Sequence, residues 1–124
     1  MRRPGKALLA GIVIGVTPLV PLAARAQDAL AGAKADLRRL VSANEVYHAK
    51  NRKYASNVSD ITSFKPSAGV TVTVGAATAN GWSASAISAS ASGKSCVIYV
   101  GQVSPPKTQA QGLSGPEAVA VCDK

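Results

Sequence analysis

The apolar positions of the chain change period twice. From Asp28 to about Arg52, Leu30, Ala33, Leu37, Leu40, Val41, Asn44 and Tyr47 recur at spacings of three and four. This predicts one face of a helix, with Lys34, Arg38, Arg39, Glu45 and Lys50 pointing elsewhere. Asp28 suits the N-cap or first turn, and Lys50, Arg52 and Lys53 suit the negative end of the helix dipole. Asn44 is the polar member of the stripe and needs a hydrogen-bond partner once covered.

Ser56 is placed to cap a short second turn over Asn57 to Ile61, which Lys65-Pro66 stops. Beyond Pro66 the period falls to two. Gly69-Val70-Thr71-Val72-Thr73-Val74-Gly75 alternates valine with threonine and predicts a strand with one apolar face. Asn80-Gly81 predicts a tight turn into a second alternating strand, Trp82 to Ala86. Ser95 to Gly101 is apolar on both sides and predicts an interior strand. Gln102 to Gly115 is loop by composition, and Ala118 to Cys122 is a short last strand. A helix followed by strands in hairpin order is an α+β fold: a long N-terminal helix on a roughly four-stranded antiparallel sheet. Trp82, Val72, Val74 and Ile98 are the expected partners of Leu37, Leu40 and Tyr47.

The first 26 residues have a different character. Met-Arg-Arg-Pro-Gly-Lys precedes an uncharged run from Ala7 to Ala24, and Ala24-Arg25-Ala26 supplies the small residues a signal peptidase requires. The reading is an export signal over residues 1–26, a mature domain over residues 27–124, and a periplasmic or secreted location with no membrane span after cleavage. A retained anchor is the alternative, since the run nearly matches a bilayer in length. Pro18 and Pro21 and the cleavage site weigh against it. In an oxidising compartment the chain's two cysteines, Cys96 and Cys122, are expected to pair as a structural disulfide.

Charge narrows the function classes. The 124-residue chain carries 14 Lys and Arg against 6 Asp and Glu, but four of those bases and no acid lie in the first 26 residues, so the body is only +4. That field is too weak by itself to mark a nucleic-acid protein. The 47% apolar fraction includes 23 alanines, which implies a small core that gains from a covalent staple.

Motifs for chemistry are sparse. No Gly-x-Ser-x-Gly elbow accompanies the single histidine, His48, so a hydrolase would have to assemble its site from distant residues. Glu45 and His48 share one side of the helix at i, i+3, half of a di-iron pattern without the further carboxylates. Gly112-x-x-Gly115 precedes no helix, so no phosphate loop is read there. Asn57-Val58-Ser59 fits a glycosylation sequon. No catalytic residue, metal site or cofactor is expected. The remaining signal is Lys50, Arg52, Lys53 and Lys65, interleaved with Tyr47, Tyr54 and Phe64, a candidate patch for DNA phosphates or an anionic polysaccharide at the basic end of the helix.

The segment Leu37-Arg38-Arg39-Leu40-Val41-Ser42-Ala43-Asn44-Glu45-Val46-Tyr47-His48-Ala49, continued by Asn51-Arg52-Lys53-Tyr54-Ala55-Ser56-Asn57-Val58-Ser59-Asp60-Ile61, resembles the helix-to-loop segment of type IV pilins and pseudopilins, with Tyr47 and Tyr54 as the spaced aromatic pair. The Gly81-Trp82-Ser83-Ala84 strand and the late cysteines also resemble the sheet and C-terminal disulfide loop of that family. Here an export signal stands in place of the prepilin leader and assembly helix. The resemblance implies a bacterial, non-enzymatic structural or interaction module whose partners are cell-envelope or secretion-system proteins.

Overall fold

The computed structural model describes residues 22–124, with side chains from Ala29 onward. The export signal expected over residues 1–26 therefore lies outside the described residues, save for the helical backbone from Leu22. The first helix, α1, spans Leu22–Asn51. It starts ahead of Asp28 and has no acid in its first turn, so the expected role of Asp28 as N-cap or first-turn acid does not hold. The cause is local: Leu22 to Gln27 is rich in good helix formers and continues the helix backwards.

At its other end α1 stops at Arg52, whose φ of 61° puts a non-glycine residue in the left-handed region. The Arg52 amide donates to the His48 carbonyl at 2.7 Å, and Asn51 Nδ2 donates to the Tyr47 carbonyl at 2.9 Å. Together they satisfy carbonyls that the end of a helix leaves open. A single 3₁₀ turn over Val58–Asp60 follows, with Asn57 rather than Ser56 as its N-cap residue.

The sheet is a four-stranded antiparallel meander in the order β1-β2-β3-β4. Its strands are β1 (Val70–Ala77), β2 (Gly81–Ser88), β3 (Ser95–Gly101) and β4 (Val121–Cys122). The Val/Thr alternation of β1 sorts as its period demands: Val72 is buried and Thr71 and Thr73 are exposed. An extra residue between Val74 and Ala77 shifts the register, and the Ser83 hydroxyl accepts from the Ala76 amide there at 3.1 Å. The β1–β2 turn is organised by Thr78, whose hydroxyl accepts from the Asn80 and Gly81 amides, both at 3.0 Å. β3 is interior, as its apolar sequence predicts, because β4 closes its far side with Cys96 opposite Cys122. β4 is shorter than expected. Ala118 sits at φ 65°, with its amide on the Tyr99 carbonyl at 2.8 Å, so regular pairing begins only at Val121.

The α+β arrangement is thus one helix packed on one antiparallel sheet. Leu30, Ala33, Leu37 and Leu40 of α1 meet Val72, Trp82, Ala84, Ala86 and Ile98 of the sheet, and Ala55, Ile61 and Phe64 close the side of the layer. Trp82, Leu37 and Leu40 are completely buried. Burying side chains of this size stabilises by about 1.5–3 kcal/mol each, which makes this layer the main source of cohesion.

Candidate functional site

The expected basic patch forms only in part. Lys50 and the helix-terminal Arg52 and Lys53 are exposed and adjacent, since α1 ends between them. Lys65 is elsewhere. Its carbonyl accepts from Arg39 Nη2 at 3.1 Å, which ties it to the middle of α1. Arg39 lies eleven helical steps before Lys50, about 16 Å along the axis. The segment after Arg52 runs back along the helix, which a linear reading of the loop did not reveal.

The aromatics are also committed. Phe64 is buried beneath the Arg39 guanidinium, 5.1 Å from the ring centroid, and offers no face to a ligand. Tyr54 stacks against His48 with ring centroids 4.3 Å apart and lies 6.4 Å from the Trp82 ring. Its hydroxyl donates to Glu45 Oε2 at 2.9 Å. Burial, then the Glu45 hydrogen bond and charge and the Glu117 charge, pushes the Tyr54 phenol above its ordinary range. Tyr54 therefore stays a donor to Glu45.

Two shallow depressions flank Tyr47. One, of about 290 Å³, includes Val46, Lys50, Asn51, Asp60 and Ile61; the other, of about 390 Å³, includes Lys53, Tyr54, Ser56, Asp60 and Thr78. Asp60 borders both. The rim thus mixes signs, which suits contact with a protein surface better than tracking of a polyphosphate.

His48 Nε2 is 2.9 Å from the Ala79 carbonyl, one face of its ring is occupied by Tyr54, and among the described residues it makes no hydrogen bond to a serine. Among the described residues, no three His, Cys, Asp or Glu side chains converge to hold a metal ion. Asn44 Oδ1 accepts from the Ala55 amide at 2.9 Å, the partner its place in the stripe requires, while Asn44 Nδ2 and Trp82 Nε1 have none among the described residues. Asn57 of the sequon is exposed.

Sequence reasoning missed two buried acids that organise the surface. Asp36, completely buried on α1, accepts from the Ser67 amide at 2.7 Å and the Ser67 hydroxyl at 2.8 Å, and pairs with Arg39. Burial pushes its carboxyl up, but these partners outweigh it and hold the group below the usual carboxylate range. Asp123 fixes the C-terminal loop. Its carboxylate accepts from the amides of Ser95 at 2.9 Å, Ala110 at 3.0 Å and Gln111 at 2.8 Å. Burial again pushes the carboxyl up, and the Thr108 hydroxyl with the three amides brings it down on balance. Asp36 had a visible signal: it stands three residues after Ala33 and four before Leu40, inside the apolar stripe.

Cys96 and Cys122 are joined, as expected, across the β3–β4 pair. Among the described residues no helix is long and apolar enough to cross a membrane. In comparisons with known proteins, no protein-family model matches the chain, and no curated protein matches it.

Proposed function

We propose that residues 27–124 form an exported, non-enzymatic module of pilin-like architecture that works by contact within the cell envelope or its secretion machinery. One observation carries this reading. A single long helix commits one face to a four-stranded antiparallel meander, and a disulfide fastens the C-terminal end of that meander. The pairing of both cysteines fits an oxidising compartment. The outer face of α1, including Ser42, Glu45, Val46 and Ala49, is exposed and free to meet a partner.

A photo-crosslinking residue at Ser42 or Ala49, activated in living cells, is expected to give discrete adducts with envelope or secretion-system proteins, unchanged by Lys50→Glu with Lys53→Glu. A second reading rests on the adjacent exposed cations Lys50, Arg52 and Lys53, which would hold DNA or an anionic polysaccharide. Salt-sensitive retention on heparin or DNA, abolished by the same charge reversal, together with an absence of protein adducts, replaces the first reading with the second.

A further inference from the structure

From Pro66 to Gly93 the chain contains no charged residue, and this stretch includes both β1 and β2. β1 is an edge strand: it pairs with β2 on one side and has no strand on the other. Edges are ordinarily guarded by lysine, proline or a covering segment. Here the chain ahead of β1 bonds only the two ends of that edge, where the Tyr54 amide donates to the Thr78 carbonyl at 3.1 Å and the Ser67 carbonyl accepts from the Val70 amide, while the 3₁₀ turn between them packs against the strand.

The ladder shows which groups remain open. The Ala89 amide donates to the Gly69 carbonyl at 2.8 Å, so Gly69 turns its polar groups toward β2. Antiparallel pairing alternates, so Thr71 and Thr73 also bond inward, while Val70, Val72 and Val74 turn N–H and C=O outward. The Val70 amide is taken by the Ser67 carbonyl at 3.0 Å. Among the described residues, the outward groups of Val72 and Val74 and the Val70 carbonyl have no partner.

The open edge reads Val-Thr-Val-Thr-Val, the same in both directions. We propose that it is a self-association edge whose occupant is β1 of a second copy of this chain, antiparallel about a two-fold axis at Val72. That axis sets Val72 against Val72, Thr71 against Thr73 and Val70 against Val74. Each side chain then meets its own kind or a near equivalent, as an isologous contact requires. Val72 exchanges two hydrogen bonds with its counterpart, and each Val74 amide donates to the opposing Val70 carbonyl. The exposed Thr71 and Thr73 form threonine pairs, a favourable cross-strand combination. No charge lies on the edge to oppose a copy of itself, and the product is a continuous eight-stranded sheet.

Sedimentation equilibrium and residue-resolved hydrogen exchange on the purified protein test this. The protein is expected to dimerise with rising concentration, and the Val72 and Val74 amides to gain protection with the dimer while Thr71 and Thr73 stay protected throughout. Thr71→Lys with Thr73→Lys sets like charges opposite each other and is expected to weaken association by at least roughly tenfold. Both sites are exposed, so an unchanged circular dichroism spectrum certifies the fold; Thr71→Gln with Thr73→Gln keeps the dimer and provides the check if the lysine pair unfolds. A protein that stays monomeric overturns the proposal. So does a dimer that survives the lysine pair with its fold intact, or one that leaves Val72 and Val74 unprotected.

Discussion

Asp123 shows how much one side chain organises in a domain this small. Three backbone amides, from Ser95, Ala110 and Gln111, converge on its carboxylate, while its own amide donates to the Ser95 carbonyl at 3.0 Å. Removing the carboxylate leaves a buried amide at Ser95 and frees two loop amides. Asp123→Ala is therefore expected to cost about 2–4 kcal/mol, read as a lower denaturant midpoint. Asp123 and Asp36 both titrate below the usual carboxylate range in the folded chain. Their stabilisation is fully present above the unfolded value of about 3.9 and is lost as pH falls through the lower folded values, so wild-type stability declines from roughly pH 5 downward. The Asp123→Ala variant should lose part of that acid dependence, and a midpoint equal to wild type at neutral pH contradicts this role. Neither role is inscribed locally. Arg39 is local to Asp36, but its Ser67 donors lie 31 residues away, and the amide donors of Asp123 lie 12 to 28 residues away.

Elements were legible to the extent that their signals were periodic. The three-and-four spacing from Leu30 to Tyr47 and the Val/Thr alternation of β1 each report burial on one face, and burial decides where those elements pack. The start of α1 and the length of β4 had no such signal. Propensity carried the helix back past Asp28, and the left-handed Ala118 delayed β4 to Val121. The insertion after Val74 was invisible apart from Gly75, the one glycine within that strand. With β4 only two residues long, the Cys96–Cys122 bond acts beside the Asp123–Ser95 hydrogen bonds in holding it to β3. Closing a separation of 26 residues stabilises by about 3–4 kcal/mol through the unfolded chain. Cys96→Ser with Cys122→Ser is expected to lower stability by that amount and to speed exchange at Val121 and in the 102–120 loop, leaving the β1–β2 ladder unaffected. An unaltered denaturant midpoint would assign that cohesion to the Asp123 contacts instead.

For the whole molecule, the candidate surface was only half legible. Lys50, Arg52 and Lys53 are neighbours in the chain and remain so in space, whereas Lys65 depends on a loop that doubles back to Arg39 and Asp36. The acid Asp60 joins the cations only through the fold, where it borders both depressions. A mixed-charge rim, an exposed outer helix face and a disulfide across β3 and β4 are the features on which the proposed role, contact outside the cytoplasm, rests. Intact mass measurement of the protein from the exported fraction tests that claim most directly. The account predicts a chain beginning at Gln27 and lighter by two hydrogens than its dithiol form. A chain that retains Met1 and carries two free thiols contradicts it.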